Sequence, residues 1–229
     1  MNKEIIGIIG AMAIETEGLI AEMTDTREST VSGVTFTEGV LCGHNVVVAT
    51  SGVGKVFAAI CAEAMILRFG VTALLNTGVA GTLSPMLEVG DVVLADEVVQ
   101  HDMNTTALGD PQGLLSGINI VKIPADERLL KALCTATAEL DYNGMVGTIA
   151  SGDLFVAKQK TKDALVAQFD ALACEMEGAA IGHVAYVNKV PFAVLRTISD
   201  GGDGMEFSEF CPLAAKTAVA ITKNFLKNL

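Results

Sequence analysis

Two carboxylates flank a methionine in Cys174-Glu175-Met176-Glu177-Gly178, between a short apolar run and a stretch rich in alanine and glycine. An extended segment sends alternate side chains to opposite faces, so one of Glu175 and Glu177 should point inward. An inward carboxylate needs a cation, a hydrogen-bond donor or a ligand, although a salt-bridged helix start accounts for the pair equally well. Asp200 closes the run Arg196-Thr197-Ile198-Ser199-Asp200 and precedes Gly201-Gly202-Asp203-Gly204. An acid between a buried strand and a glycine-rich loop is well placed to donate a proton, and a turn-forming aspartate leaves the same pattern. Glu15 follows Gly10-Ala11-Met12 in the first turn of an expected helix, where a carboxylate suits the positive end whether or not it does chemistry.

Other short patterns are weaker. Gly78-Val79-Ala80-Gly81 reads as a small-residue turn after a strand, open to close approach by a ligand or simply tight. It lacks the spacing of a dinucleotide fingerprint or a P-loop. Gly52-Val53-Gly54-Lys55 lacks the upstream glycine and the following Ser or Thr of a Walker sequence. His44, His101 and His183 share no metal-ligand spacing, and the acidic residues near Asp200 do not match a calcium loop. No metal is expected.

These candidates gain weight from the elements that must hold them. Ile5–Ile9, Ala73–Asn76, Met145–Ala150, Leu172–Cys174 and Phe192–Ile198 are short apolar runs of the kind that form strands buried on both faces. Asp91–Val99 reads as a longer strand, and Val34–Cys42 with Asn45–Thr50 reads as a hairpin about Gly43-His44. Helical patterns fall over residues 13–23, 53–69, 126–140, 158–169 and 178–187, the first with Ile14, Leu19, Ile20 and Met23 on one side. In the last helix Phe210, Leu213, Thr217, Ile221 and Phe225 make one face. Residues 101–118 form a long irregular loop, and loops of that length in compact domains are usually functional.

Strands alternating with helices, plus a hairpin, imply a three-layer α/β/α sandwich around a mixed, twisted central sheet, built as a single domain over residues 1–229. Ligands in such folds collect at the carboxyl ends of the strands, where Glu15, Glu175, Glu177 and Asp200 all fall.

The 229 residues carry 15 Lys and Arg against 27 Asp and Glu, and 51% are hydrophobic. Such a chain is too apolar for disorder and too acidic for nucleic acid or anionic membranes as main partners. Five scattered cysteines without a C-x-x-C pair read as reduced thiols, which favours the cytoplasm. The opening Met-Asn-Lys-Glu-Ile-Ile-Gly is too soon broken by glycine for a signal peptide, and no apolar run approaches a membrane span.

Taken in order, Gly10-Ala11-Met12 with Glu15, Ser51-Gly52-Val53-Gly54-Lys55, Asn76-Thr77-Gly78-Val79-Ala80-Gly81, Ser151-Gly152-Asp153, Glu175-Met176-Glu177 and Ile198-Ser199-Asp200 resemble 5′-methylthioadenosine/S-adenosylhomocysteine nucleosidases of the nucleoside phosphorylase superfamily. The resemblance spans residues 5 to about 210. It implies cofactor-free hydrolysis of an N-glycosidic bond, the partners being an adenine nucleoside and water. It makes Glu15 the base on the attacking water, Asp200 the proton donor to adenine N7, and Arg196 a helper in placing the water. Glu177 with the Met176 backbone would hold the ribose hydroxyls, next to Glu175. Phe155 would stack on adenine, the Val156 backbone would meet the base edge, and Phe207 would border the alkylthio group. Met12, Val53, Val79 and Ser199 complete the expected pocket. The resemblance also implies a homodimer in which Thr105 and Leu108 reach toward the neighbour's site.

Two positions depart from the pattern. Val79 stands where a water-assisting serine is usual, a loss on the order of 1 kcal/mol. Leu108 replaces an aromatic. A phosphorolytic relative would carry an arginine where this chain has Asn76, because phosphate needs a guanidinium fork, and Glu15 would repel phosphate. A nucleoside-binding protein without turnover is the other alternative, but mere binding requires no proton donor. Which adenine nucleoside is preferred, including 5′-deoxyadenosine and aminodeoxyfutalosine, stays open.

Overall fold

A computed structural model describes residues 4–229; the first three residues of the opening stretch judged above against a signal peptide lie outside it. Strand β1 (Ile5–Gly10) leads into helix α1 (Ala13–Ile20), followed by β2 (Thr24–Val31), β3 (Val34–Leu41), β4 (His44–Thr50) and α2 (Lys55–Phe69). Next come β5 (Ala73–Thr82), β6 (Val92–Gln100), β7 (Lys122–Pro124), α3 (Glu127–Glu139) and β8 (Gly144–Ser151). The chain ends with α4 (Gln159–Phe169), β9 (Ala171–Glu175), α5 (Gly178–Asn188), β10 (Phe192–Asp200) and α6 (Gly204–Lys227). Among the described residues no helix is long and apolar enough to cross a membrane.

The sheet is mixed, as expected, and its order runs β10-β6-β8-β9-β5-β1-β4-β3-β2. Because β10 also pairs with β5, the strands β5, β10, β6, β8 and β9 close into a ring, while β1 to β4 extend as an open wing. Apolar runs are continuous in the central strands because both faces are covered. In β1, Ile9 packs toward α2 and α5 while Ile6 and Ile8 pack toward α1, α3 and α6. Strand β10 alternates likewise: Val194 and Ile198 face the first layer, and Ala193 and Leu195 the second. Arg196 occupies a position between Val194 and Ile198, so the period of two aims a guanidinium into the first layer.

Local signals set the ends. Asp126 caps α3 by accepting from the Leu129 N–H, Asp203 caps α6 through the Met205 and Glu206 N–H groups, and Gly70 ends α2 at φ 64°.

Four sequence expectations change. Gly78-Val79-Ala80-Gly81 is not a turn: β5 runs through it to Thr82. Glycine is needed at 78 because an added Cβ would run into Arg196 Nη1 and Glu15 Oε1. Strand β2 escaped the pattern because six of its eight residues are exposed and it has no apolar face. In α6 Leu213 is exposed and Phe210 only half-buried; Cys211, Ala214, Ala218, Ile221 and Phe225 form the inner face. Ile14 is likewise exposed, since α1 buries its Glu15, Thr16 and Leu19 side.

Candidate active site

The carboxyl ends of β1, β5, β9 and β10 surround a cavity of about 250 Å³. Glu15 enters from α1 and is almost fully buried. Its Oε2 accepts from the Ala11 N–H (2.7 Å) and Met12 N–H (2.9 Å), and its Oε1 accepts from the Val79 N–H (3.1 Å). Three backbone donors offset the cost of burying this charge.

Asp200 reaches the cavity from the end of β10. Strict alternation would send Ser199 and Asp200 to opposite faces, yet both line the cavity. The β10–β5 register shifts between Ile198 and Asp200, and this irregularity re-aims the strand end. Asp200 Oδ2 lies 2.8 Å from the Ser199 hydroxyl, and Oδ1 accepts from the Gly202 N–H at 2.6 Å.

Glu175 and Glu177 are both buried, whereas alternation allowed only one inward. Glu175 ends β9 and Glu177 is the residue preceding the first turn of α5, so the chain bends between them and parity lapses. The two carboxylates have different surroundings. Glu175 accepts from Arg196, from the Ser151 hydroxyl, and from the Glu177 (3.0 Å) and Gly178 (2.8 Å) N–H groups, which takes up both oxygens. Glu177 has the Gly54 N–H at 2.8 Å and Arg196 Nη2 only at 3.4 Å. Burial, opposed by Arg196 and reinforced by Glu175, pushes the Glu177 carboxyl up to about 7. Arg196 is wholly buried; burial works against its charge, but Glu175, Glu177 and Glu15 outweigh this and raise its pKa further.

Of the remaining expected residues, Met12, Val53, Val79, Phe155, Met176 and Phe207 line the same cavity. Phe155 and Phe207 meet edge to face at 5.8 Å between centroids. Val79 gives its N–H to Glu15, while its side chain packs with Cys211, Ala214 and Ala215 of α6. Val156 is displaced from the main cavity and lines a small adjoining recess with Leu154 and Asp200. Thr105 and Leu108 do not line this chain's cavity; Leu108 is 82% exposed on the long loop.

Sequence reasoning gave no site role to the residues that fix the carboxylates. Ser151 also accepts from the Ala179 N–H (2.7 Å), and Asn76 accepts from Arg196 at 2.5 Å while donating to the Ile9 carbonyl. Both stand in the quoted motif blocks, at the end of β8 and within β5, which was the available signal. Ala80 and Gly81, from the stretch open to close approach by a ligand, line the wall, and Ala11 and Cys174 do so unforeseen because they offer backbone or small apolar surface.

The lining thus holds four carboxylates, Glu15, Glu175, Glu177 and Asp200, and one guanidinium already committed to two of them. Such a site favours positive charge developing on a bound molecule and disfavours an anion. Among the described residues no cluster of three or more potential metal ligands is present.

Comparison with known proteins gives a consistent picture. The sequence profile of the phosphorylase superfamily matches residues 5–227. The 5′-methylthioadenosine/S-adenosylhomocysteine nucleosidase of Staphylococcus haemolyticus is 38% identical over 98% of this chain and all of its own length. The S-adenosylhomocysteine nucleosidase of Streptococcus pyogenes, solved with 5-methylthiotubericidin, superposes with a TM-score of 0.96 at 36% identity, covering 100% of this chain and 98% of that one. The futalosine hydrolase of Helicobacter pylori superposes at 0.95 with 35% identity, over 99% of this chain and 98% of its own.

Proposed function

The chain belongs to the phosphorylase superfamily and, within it, to the 5′-methylthioadenosine/S-adenosylhomocysteine nucleosidases, and from that premise we propose that it hydrolyses the N-glycosidic bond of both nucleosides. The products are adenine and the corresponding 5-thio-substituted ribose, a step that serves methionine salvage. The observation that carries this reading is the charge of the cavity: four carboxylates and no guanidinium free to receive phosphate. Water is therefore the nucleophile.

The roles we assign to individual residues are ones the geometry supports. As the bond from C1′ to N9 breaks, its electron pair moves into the adenine ring, and Asp200 gives a proton to N7 so that a neutral base departs. The ribose passes through an oxocarbenium-like state, which the carboxylates stabilise. Glu15 takes one proton from the attacking water as the new C1′–O bond forms. Three fixed N–H donors hold the Glu15 carboxylate in place for this. Arg196, whose Nη1 lies 3.4 Å from the Val79 carbonyl oxygen, helps to place the water. Glu177, less saturated than Glu175, accepts from the ribose hydroxyls beside the Met176 backbone. Phe155 stacks on the base, the Val156 backbone meets its edge, Phe207 borders the alkylthio group, and Met12 and Val53 complete the pocket.

The working unit is a homodimer in the cytoplasm, as a single-domain chain with free thiols would suit. Val53, Val56, Phe57 and Ile60 expose a large apolar stripe at the start of α2, a surface that suits a second copy, and the family likeness implies that Thr105 and Leu108 reach toward the neighbour's pocket. The likeness to futalosine hydrolase favours one further substrate reading, an adenine nucleoside with a bulkier 5′ group such as aminodeoxyfutalosine.

Adenine release from 5′-methylthioadenosine, S-adenosylhomocysteine, 5′-deoxyadenosine and aminodeoxyfutalosine, with and without phosphate, tests the proposal. Release that proceeds without phosphate is expected. A strict phosphate requirement overturns it.

A further inference from the structure

Outside the cavity, three loops are tied together by one carboxylate. Asp102, just past the end of β6, accepts from Lys55 Nζ through Oδ1 at 2.6 Å and from the Asp153 N–H through Oδ2 at 2.9 Å. Asp153 in turn accepts the Lys55 N–H through Oδ1 at 2.8 Å. The three residues therefore close a ring that joins the start of α2, the end of β6 and the end of β8. Gly54 is held against that ring: its φ of 102° suits glycine, and an added Cβ would sit 3.1 Å from Asp153 Oδ1. Among the described residues, Gly54 supplies the one backbone N–H that reaches Glu177, at 2.8 Å. Lys55 Nζ also lies 3.4 Å from Gln100 Oε1, and Gln100 Nε2 lies 3.4 Å from His183 Nδ1, so the ring is braced against α5, whose first turn follows Glu177.

We infer that Asp102 is a positioning residue for the ribose site: by holding Lys55 and the Asp153 backbone together, it fixes the Gly54 N–H on Glu177 and so sets how tightly the chain grips a ribose diol. This rests on the reading of Glu177 as the ribose-binding carboxylate. Asp102 does not line the cavity and is given no part in proton transfer. Its loss is therefore felt in binding of the sugar hydroxyls, with the chemical step left in place. Burial works against its charge, but Lys55 and the Asp153 N–H hold its carboxyl below the usual range, so it stays an acceptor through the physiological pH interval.

The test uses the full-length protein with 5′-methylthioadenosine as substrate and its 2′,3′-dideoxy counterpart as a competitive inhibitor. In Asp102→Ala, KM for the riboside is expected to rise about tenfold with kcat within about threefold, while the dideoxy compound binds within about threefold of before. Asp102→Asn, which keeps an acceptor for the Asp153 N–H, should recover part of the loss; it and Lys55→Met carry the same test should the alanine variant fold poorly. Equal weakening of both compounds, or a riboside preference left intact, overturns the inference. Glu177→Gln separates the two readings. If it leaves the riboside preference unchanged, the ribose role of Glu177 fails; if it removes the preference while Asp102→Ala does not, only the positioning role fails.

Discussion

Glu15 and Asp200 face one cavity from two very different supports. The Glu15 end is made of backbone already committed to structure: the turn at Ala11 and Met12 and the middle of β5 point three N–H groups at one carboxylate. The Asp200 end is made of a neighbouring hydroxyl and one N–H from the loop that follows, beyond which residues 203–206 are exposed. On the proposed roles, the difference teaches how the work would be divided. A water molecule is small and must be met by a fixed acceptor, whereas a departing base needs a donor beside chain that can give way. The Glu15 end should therefore couple activity to stability, and the Asp200 end should not.

The largest expected effect tests the first half of that contrast. Glu15→Gln should lower kcat by ~10³–10⁴. Its amide nitrogen would face N–H donors that now find an acceptor, so stability should fall by about 1–3 kcal/mol. A denaturation midpoint equal to that of the parent would break the comparison. Asp200→Asn should lower kcat by ~10²–10⁴ with ligand affinity within about tenfold. Asparagine can still accept from Gly202 and donate to Ser199, so its midpoint should stay near the parent's. Unchanged turnover would remove Asp200 as the proton donor.

A pH series sharpens the contrast between the proposed catalytic pair and Glu177. That carboxyl is raised from 4.5 to about 7, so its acceptor form is lost as pH falls below neutrality. KM should rise about tenfold for each unit below that point, and Glu177→Gln should flatten the slope. The sign for stability is opposite: the folded chain holds this proton more tightly than the unfolded chain, so its contribution is present below about pH 4.5 and lost as pH rises through about 7. The smallest effect belongs to Val79→Ser, which restores a hydroxyl beside Glu15 but removes packing against Cys211, Ala214 and Ala215. Turnover should change by about fivefold or less, consistent with one hydrogen bond on the order of 1 kcal/mol. A hundredfold gain would mean that the Glu15 end is far less complete than its three donors suggest.

Much of this was readable in the chain because burial on both sheet faces leaves an unmistakable trace. The run Ile5–Ile9 has no polar residue to interrupt it, and the polar groups that follow such runs, Glu15 and Glu175 to Glu177, are those the cavity gathers. What stayed hidden depended on neighbours distant in sequence. Gly78 looks like a turn residue until Arg196 and Glu15 are seen on either side of it. Strand β2 pairs with β3 through its backbone while its polar side chains face water, so no hydrophobic period announces it. Glu175 and Glu177 share residue type and motif, and only Ser151 and the guanidinium behind them make one a fixture and the other an open acceptor.

Arg196, buried behind the four acids of the cavity, also bears on what the cell can safely keep in solution beside this protein. Adenine in a living cell is carried mostly as nucleotides, whose 5′ phosphoryl groups bring two or more negative charges. A cavity lined by four acids should bind such molecules more weakly than an uncharged nucleoside, and should favour a ligand bearing a protonated amine in place of the sugar carbon. Electrostatic sign would then help to keep the energy carriers apart from a hydrolase that acts on the same base and sugar.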